Sequence, residues 1–593
     1  MNKAFSKAKI NNNPLTELIC FLVLMIVLIP ILFWFGNEKQ GFHEDEYYTY
    51  YSSNRTAGLF VEDRSFLDTN DIYRELCVND GEGFNYSMVK LVQSWDVHPP
   101  FYYYVFHTVC SFMTGQFSKW SGIIANLPAY VGTMLLFFLF LKKQRIELIP
   151  RLAICLIIGI HPMMISGVMF VRMYMWLTLF VVALAYFHFC LYEGLICEST
   201  FGNKDNHKSL ISKYPQSLIY ILSIAIVTYL GFLTQYYFLI FLVFQAFALG
   251  LLFAINRKWK FQKDEIKLMV VYVFAEGFAL VLALLSYTAA FSHIFRGYRG
   301  TEAKAELLDI TNLAGRIRFF FGLLNEYVFD GMLIFVLILG LLMLVRNLLN
   351  KSETKTNKDI CNFNVDNGCK REKTRNLQMP KNALIWIPVI AYYLTIMKTA
   401  LVLGNTSNRY ELPVYGLLLM LICVGVCRAF DSDNASGVRD DNEENEEKKS
   451  DNRKQARIIV TTVMILFLVM DLHSLASGKV LFLYPEQKEH RSFARSMSEA
   501  GAEAVVVYNE ASPYNIWREA GELLEYSRIY TISEQNQELI TEPEIIEAKE
   551  LAVYVAKGED ADHWCDAILA QSSELLNYEQ VYETDMWCVY RFY

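Results

Sequence analysis

The chain has 593 residues, of which 54% are hydrophobic and 15% aromatic, and its formal net charge at pH 7 is -8. A soluble globular protein holds roughly 45–50% apolar residues, so this composition excludes an ordinary soluble protein. The negative net charge also gives no support to nucleic-acid binding through bulk electrostatics.

The apolar residues are concentrated in long runs, and the first run follows a basic N-terminus. Lys3, Lys7 and Lys9 precede an apolar segment at Leu18–Phe35. A cleaved signal peptide is one interpretation, but the segment is long, ends in two aromatic residues and has no small-residue cleavage site. We therefore predict a retained first membrane span.

The charges of the loops predict which side of the membrane each loop faces. Cytoplasmic loops carry an excess of Lys and Arg, and three stretches are plainly basic: Lys142–Arg151, Arg257–Lys267 and Arg346–Lys381. We place these stretches inside, together with the N-terminus. The acidic and aromatic loop Asn37–Asp96 follows the first span and is therefore placed outside.

Parity decides the placement of the next segment. The chain must cross an odd number of times between the outer loop and Lys142, yet two apolar segments lie there, Pro99–Met113 and Gly122–Leu141. The first has only about fifteen apolar-dominated residues, a length typical of an interfacial segment. Pro99–Phe117 is therefore predicted to be a juxtamembrane helix on the outer surface. About eleven spans follow on this length criterion, at 18–35, 122–141, 152–170, 172–192, 216–234, 236–255, 268–290, 328–348, 382–402, 410–430 and 458–477.

The sequence changes character after the last span. Short β-rich runs alternate with helical stretches over 481–593, which predicts a small α/β domain outside the membrane. The expected fold class is a mainly α, polytopic membrane helix bundle over 1–480, with its first outer loop at 36–120, followed by this extracytoplasmic domain. Cys565 and Cys588 are candidates for a disulfide there, which the sequence alone leaves open.

The densest polar cluster lies just beyond the first span, at His43-Glu44-Asp45-Glu46. A solvated acidic face at the membrane surface is the ordinary interpretation of such a cluster. The functional interpretation comes from its position, because Tyr and Thr follow the acids where a hydrophilic loop would be expected. A carboxylate held against aromatic surface near the bilayer is suited to act as a general base.

Other polar residues map to the same outer surface. Arg172 lies between two apolar runs, and an Arg that snorkels at the interface is the commoner explanation of such a residue. Lys398 lies within a span, which indicates either function or a structural pairing. His98, which precedes two Pro residues, can simply cap a helix. The complete set of candidates beside the acids is His98, Arg172, Tyr174, Gln235, Tyr236, Arg299, Lys398, Arg409 and Tyr410.

The ordered motifs resemble those of the GT-C membrane glycosyltransferases, most of all the protein O-mannosyltransferase and aminoarabinose-transferase branch, glycosyltransferase family 39. The matching motifs are Asp45-Glu46, His98-Pro99-Pro100-Phe101-Tyr102-Tyr103, Arg172-Met173-Tyr174 and Arg409-Tyr410-Glu411-Leu412-Pro413. They agree in order and spacing over about residues 15–430. Gln235-Tyr236 departs from the pattern, since such proteins often show a His before the aromatic residue. The region 481–593 matches nothing in the family.

The resemblance implies a GT-C fold and transfer of a single sugar, with inversion, from a polyprenyl-phosphate donor to a glycan, lipid or protein acceptor. It implies Asp45 as the base, with Glu46 supporting it or binding the acceptor. The expected donor-phosphate contacts are Arg172, Arg409, Lys398 and Arg299. The expected substrate contacts are His98, Tyr174, Gln235, Tyr236 and Tyr410.

The sequence calls for no certain cofactor, and it leaves a divalent metal open without a motif to support one. Two other functions compete with transfer from a lipid monophosphate. One is a glycan polymerase or ligase that uses an oligosaccharide on a lipid pyrophosphate. The other is a non-enzymatic transporter of lipid or polysaccharide, which would need polar residues through the membrane centre and preferably internal repeats, and the sequence shows neither.

The predicted topology is testable by labelling in intact cells. A membrane-impermeant thiol reagent should label Glu486→Cys above the background of the parent chain and should not label Lys142→Cys, because the two positions are placed on opposite sides. Labelling of Lys142→Cys from outside would contradict both the interfacial placement of Pro99–Phe117 and the candidate site that depends on it.

Overall fold

The computed structural model describes residues 13–55, 61–200, 214–343, 345, 369–431 and 443–593, apart from 514–515, 517–519, 534–539 and 541. The chain forms two compact units. The first contains Met1–Phe33, Asn126–Val168 and Met173–Leu481, and the second contains Trp34–Ala125, Met169–Arg172 and Phe482–Tyr593.

The first unit is built from long apolar helices. Its helices, including the two that join it to the second unit, are α1 (Pro14–Glu38), α6 (Lys119–Lys143), α7 (Leu148–Ile160), α8 (Pro162–Met169), α9 (Tyr174–Thr200), α10 (Pro215–Thr234), α11 (Phe238–Asn256), α12 (Lys263–Ser286), α13 (Ala289–Phe295), α14 (Tyr298–Leu308), α15 (Leu313–Leu323), α16 (Leu333–Met343), α17 (Cys369–Thr399), α18 (Asn408–Asp431) and α19 (Glu443–Ala476). A π-helical turn, Leu324–Val328, separates α15 from α16.

Within the described residues, eight helices are long and apolar enough to cross a membrane, or up to ten spans if each of two bent helix pairs counts as one. The chain is therefore a multi-pass membrane protein. The count is slightly below the eleven spans expected. The difference is the segment expected at 382–402, which is helical in α17 but less apolar, because it carries Lys398 and several Tyr and Thr residues.

Each of the two bent pairs is either a broken span or a re-entrant loop. α7 and α8 meet at 51°, and the helices on either side of residues 329–332 meet at 88°. The chain leaves the second unit through α6 and returns to it at Met169–Arg172. If the extramembrane part of that unit lies on one side of the bilayer, α7 and α8 together must cross once, as the single span expected at 152–170 requires.

The second unit combines the first outer loop with the C-terminal region. Its elements are α2 (Glu44–Asn54), β1 (Ser65–Asp68), α3 (Thr69–Leu76), α4 (Tyr86–Trp95), α5 (Phe101–Phe112), α20 (Gln487–Glu499), β2 (Glu503–Tyr508), α21 (Ala520–Leu523), β3 (Arg528–Ser533), α22 (Pro543–Ile546), β4 (Leu551–Ala556), α23 (Ala561–Gln571), β5 (Tyr578–Glu583) and β6 (Trp587–Phe592). The expectation of a polytopic helical bundle with a small C-terminal α/β domain is thereby confirmed.

The six strands form one sheet in the order β1-β3-β2-β4-β6-β5. The central strands β3, β2 and β4 are parallel, whereas β1, β6 and β5 run antiparallel to their neighbours. β2 and β4 read as nearly continuous apolar runs, which is typical of buried parallel strands. The edge strand β1 comes from the first outer loop, so the sheet expected within 481–593 is completed by residues more than 400 positions earlier in the chain.

The core of this α/β region lies between the sheet and α23. Val505, Val553 and Leu551 from the strands are fully buried there. Trp564 and Ile568 of α23 join the same cluster, and their spacing of four residues puts them on one face of the helix. Cys565 also packs in this core, and both it and Cys588 are free thiols, so the candidate disulfide is absent from the structure.

The helix expected over Pro99–Phe117 is present as α5, which has 12 residues. At 1.5 Å per residue it extends roughly 18 Å, well short of the roughly 30 Å hydrocarbon core of a bilayer. Its length therefore agrees with an element that does not cross the membrane, as parity required.

Leu551→Ala tests the burial of the sheet. Leu551 is fully buried, so the substitution should cost about 2–5 kcal/mol of the folding free energy. The control is Leu576→Ala, the same change at a side chain that is 88% exposed. Thermal unfolding of the detergent-purified full chain should show a lower transition midpoint for the first variant only. Equal midpoints would contradict the core as described.

Candidate functional site

The acidic cluster lies at the beginning of α2. His43 is the N-cap residue, and its Nδ1 accepts a hydrogen bond from the Asp45 backbone at 3.1 Å. In return, the Glu46 carboxylate accepts from the His43 backbone N–H at 2.6 Å, which completes a capping box. Glu44, Asp45 and Glu46 occupy the first turn, where the helix dipole stabilises negative charge. Because successive residues are about 100° apart around a helix, Asp45 and Glu46 face different surroundings.

Glu46 is fully buried and forms an ion pair with Lys39, which is also fully buried. The Lys39 Nζ lies 3.1 Å and 3.0 Å from the two carboxylate oxygens. The backbone N–H of Val171 donates to the same carboxylate at 2.7 Å, in addition to that of His43. Lys39 also donates to the carbonyl of Phe482 at 2.6 Å. One ion pair thus joins three segments that lie far apart in the sequence.

Burial opposes both charges of this pair. It raises the pKa of Glu46, against the charge of Lys39 and the two backbone N–H donors that lower it. Burial likewise lowers the pKa of Lys39, against the carboxylate that raises it. The Glu46 carboxylate is the acceptor in every hydrogen bond described for it, as an ionised carboxylate must be. Glu46 is therefore placed to hold the site together, and solvent does not reach it.

Asp45 has the opposite environment, because a quarter of its side chain is exposed. One carboxylate oxygen lies 3.6 Å from His43 Nδ1, and the other lies 3.9 Å from the Arg172 guanidinium. A carboxylate that is reachable from solvent and flanked by a cation is able to accept a proton from a bound molecule. Of the two expected catalytic acids, Asp45 is the accessible one.

Arg172 is buried and is held by groups from two helices and from the segment before α5. Its Nη1 donates to the Asp45 carbonyl and to the Thr49 hydroxyl, both at 3.3 Å, and to the Tyr103 hydroxyl at 3.0 Å. Its Nη2 lies 3.3 Å from His98 Nε2. The interpretation of Arg172 as a snorkelling side chain is therefore wrong. The residue connects α2, α5 and the segment before α5.

His98 is oriented by a carboxylate that the sequence analysis did not single out. Its Nδ1 lies 3.0 Å from Asp96 Oδ2, so a proton on Nδ1 leaves Nε2 as the acceptor that faces Arg172. Burial raises the pKa of Asp96, but the neighbouring His98 and Arg172 outweigh it and hold the pKa below its usual value. His98 therefore lies between an acid and a cation, and it does not cap α5, whose N-cap residue is Pro100.

A second cluster of candidates lies within the first unit. The Tyr410 ring packs edge-on against Tyr174 and Tyr237, with ring centres 5.9 Å apart in both pairs. The buried Arg409 guanidinium lies 5.0 Å from the centre of the Tyr410 ring and donates to its hydroxyl at 3.2 Å. This places three of the expected residues and the additional Tyr237 in one aromatic and cationic group.

Gln235 and Tyr236 lie at the turn between α10 and α11. The Gln235 side chain accepts from the Tyr236 backbone at 2.8 Å, which stabilises the turn. The Tyr236 hydroxyl is hydrogen-bonded to His293 Nδ1 at 3.1 Å. A histidine is thus next to this aromatic residue after all, but it comes from α13.

Lys398 and Arg299 both have partners in α14 or in the loop that follows it. Lys398 Nζ donates to the Asp309 carbonyl and, at 2.8 Å, to the Asn312 side chain, which ties α17 to the loop before α15. Arg299 is partly exposed and pairs with Glu302 at 3.2 Å. A cavity of about 400 Å³ lies beside them and is lined in part by Glu302 and Asn312.

His43, Glu44 and Asp45 form a group able to hold a metal ion. One ligand atom from each lies within 4.8 Å of the others. Histidine nitrogen and carboxylate oxygen are ligands that divalent transition metals accept.

The residues of these networks that were not singled out as site residues in the sequence include Lys39, Asp96 and His293. Lys39 had the strongest signal, since a lysine just beyond an apolar span is worth examining for a partner. Asp96 lies two residues before the His98 motif and appeared in the sequence only as the end of the loop Asn37–Asp96. The sequence carried no signal for His293, because its partner Tyr236 lies 57 positions away.

Comparison with known proteins gives structural matches but no match to a family model or to a curated protein. The fold is similar to that of ArnT from Cupriavidus metallidurans bound to undecaprenyl phosphate, with 11% identity, 96% of this chain and 97% of ArnT covered, and a TM-score of 0.46. It is also similar to the oligosaccharyltransferase AglB from Archaeoglobus fulgidus, in complex with an inhibitory peptide and a dolichol-phosphate. That match has 11% identity, 93% and 71% coverage, and a TM-score of 0.42.

ArnT and AglB are GT-C membrane glycosyltransferases, the fold type that the sequence motifs resemble. The TM-scores lie below 0.5. We therefore base the function proposed below on the motifs and on the geometry of the site.

Lys39→Met tests the buried ion pair. The change leaves the Glu46 carboxylate buried without its cation, which should cost about 3–5 kcal/mol of folding free energy. The control is Lys90→Met, the same change at an exposed lysine of α4, which should alter stability by less than about 0.5 kcal/mol. Unfolding of the purified chain in denaturant measures both. Equal stability of the two variants would show that the pair is not needed.

Proposed function

We propose that this protein is a membrane glycosyltransferase that moves a single sugar from a polyprenyl-phosphate donor to an acceptor at the outer face of the membrane. The observation that carries the proposal is the environment of Asp45. An accessible carboxylate lies at the start of a capped helix, with Arg172 and the Asp96–His98 pair beside it. The positive-inside pattern of the basic loops supports an extracytoplasmic position for this site.

The proposed reaction proceeds with inversion at the anomeric carbon. The oxygen or nitrogen of the acceptor attacks the anomeric carbon from the face opposite the lipid phosphate. As it attacks, Asp45 accepts the proton of the acceptor hydroxyl or amine. The new bond to the acceptor forms while the bond between the anomeric carbon and the phosphate oxygen breaks. The lipid phosphate departs with the bonding electron pair, and the proton on Asp45 is released to solvent. The residues of this chain therefore supply the base and hold it in a fixed orientation.

Glu46 and Arg172 support this base in different ways. Glu46 is buried under four hydrogen bonds and fixes the first turn of α2, so we assign it a positioning role. Arg172 donates to the Asp45 carbonyl and lies near its carboxylate, so it keeps the side chain oriented. Holding a reacting group in place contributes a large share of enzymatic rate enhancement.

A leaving phosphate requires cations or other donors near it. We propose Arg172, Arg409, Lys398 and Arg299 as phosphate contacts, and His98, Tyr174, Gln235, Tyr236 and Tyr410 as contacts to the rest of the substrates. The aromatic group around Arg409 supports this assignment, since aromatic rings and guanidinium groups are typical surfaces for sugars and phosphates.

A transfer assay on purified protein tests the class of donor. A panel of labelled sugars on polyprenyl monophosphate is compared with an oligosaccharide on polyprenyl pyrophosphate, each with and without a chelator. Transfer of one sugar from a monophosphate supports the proposal. Transfer only from the pyrophosphate would make the protein a polymerase or ligase. Loss of transfer in the presence of chelator would show that the reaction needs a metal ion, for which His43, Glu44 and Asp45 are the candidate ligands.

Asp45→Asn tests the base directly. The amide keeps the size of the side chain but does not accept a proton as a carboxylate does, so kcat should fall by about 10²–10⁴-fold with little change in donor affinity. The control is Asp63→Asn, since Asp63 has similar exposure and lies in the same outer loop, hydrogen-bonded to Ser533. Near-normal turnover of Asp45→Asn would move the base to Glu44.

A further inference from the structure

The C-terminal region contacts the loop that carries Asp45 through the residues that directly follow the last span. The Leu483 carbonyl accepts from the Gln40 backbone N–H at 2.6 Å. Gln487, at the start of α20, makes a two-point contact with the backbone of Phe42. Its Oε1 accepts from the Phe42 N–H at 3.0 Å, and its Nε2 donates to the Phe42 carbonyl at 2.9 Å. This pair of bonds fixes Phe42 as a neighbouring strand would.

Phe482 reaches deeper into the same loop. Its carbonyl accepts from Lys39, the buried partner of Glu46. Its ring stacks on Phe170 with centres 3.9 Å apart and planes 11° apart, and it approaches the His43 ring edge-on at 6.2 Å. Phe170 lies two residues before Arg172. The C-terminal region therefore touches both segments that meet at Asp45.

The fit of these segments is tight. A Cβ atom at Gly41 would lie 2.0 Å from the Gln487 side-chain oxygen, so only glycine allows the loop to approach this closely. Phe482 and Tyr484 have φ angles of +68° and +50°, in the left-handed region that non-glycine residues rarely adopt. Such conformations persist where the surrounding contacts fix them, and they are concentrated at functional sites.

We propose that the C-terminal α/β region is the positioning element of the catalytic loop, and that Gln487 is a positioning residue for Asp45. This inference rests on the proposed function and assigns a role to a region that carries no catalytic motif. Phe42 directly precedes His43, the residue that caps α2. Because the capping box joins His43 to the first turn of α2, a displacement of Phe42 should also displace Asp45, three residues later.

Other contacts between the loop and this region explain why a single substitution at Gln487 should leave the fold intact. β1 pairs with β3 over four residues, and the Tyr47 hydroxyl accepts from the Gly521 N–H at 3.0 Å. The Thr69 hydroxyl donates to the Tyr526 carbonyl at 2.5 Å. The loop stays attached without Gln487, and only its fine placement near Asp45 is lost.

The test compares Gln487→Met with Gln571→Met. Methionine keeps the length of the side chain and removes its hydrogen bonds in both cases. Gln571 makes a comparable contact, accepting from the Ile540 backbone at 2.9 Å, but it lies in α23 and does not touch the outer loop. We expect Gln487→Met to lower kcat by about 10–100-fold with donor KM within about twofold of wild type, because a misplacement of about 1 Å is costly to turnover. Gln571→Met should retain the wild-type kcat.

A second measurement does not depend on transfer. Amide hydrogen exchange of the full chain should be faster at residues 42–47 in Gln487→Met than in wild type, and unchanged there in Gln571→Met. If wild type transfers no sugar but this exchange difference appears, the proposed function fails and the positioning role stands. Unchanged exchange at 42–47, or an equal loss of kcat in both variants, would overturn the positioning role.

Discussion

The candidate site depends on one buried ion pair, between Lys39 at the end of the first helix and Glu46 in the first turn of α2. Both side chains are fully buried, so the pair is stable only because every partner is in place. The carboxylate takes hydrogen bonds from His43 and Val171 as well as from Lys39, and the ammonium reaches the Phe482 carbonyl. Removal of any one segment would leave a charge or a polar group buried and unpaired. Because a buried unpaired group costs free energy, the fold favours the arrangement in which all of these segments are in place.

The pair also explains how two adjacent acids come to have different properties. The turn of the helix sends Glu46 into the protein and leaves Asp45 at a surface that solvent reaches. The buried acid is surrounded by donors and has no free position for a substrate. The accessible acid lies beside Arg172, 3.9 Å from its guanidinium. The geometry of one helical turn thus gives two neighbouring carboxylates a buried and an accessible environment.

The parts of the fold that could be predicted from the sequence are those that depend on local composition. The lengths of the apolar runs located most of the spans. The short length of the α5 segment, together with the parity set by the basic loops, predicted that this segment does not cross the membrane. Strand β1 was missed because four residues carry little signal and their partner β3 lies more than 400 positions later. The burial of Glu46 was missed for a similar reason, since Val171 and Phe482 are distant in sequence. The motifs named Asp45, His98 and Arg172 separately, and only the structure shows the hydrogen bonds among them.

Strand β1 has a consequence for how the protein is made. Its four residues leave the ribosome more than 400 residues before the strand with which they pair and before the carbonyl that receives Lys39. Until those residues are made, the loop lacks these partners, and the acids at the start of α2 are not yet held in their final geometry. Assembly of the site therefore waits for the synthesis of residues that follow the helical region. A chain that is truncated after its last membrane helix would retain every acid of the loop and still lack the contacts that organise them.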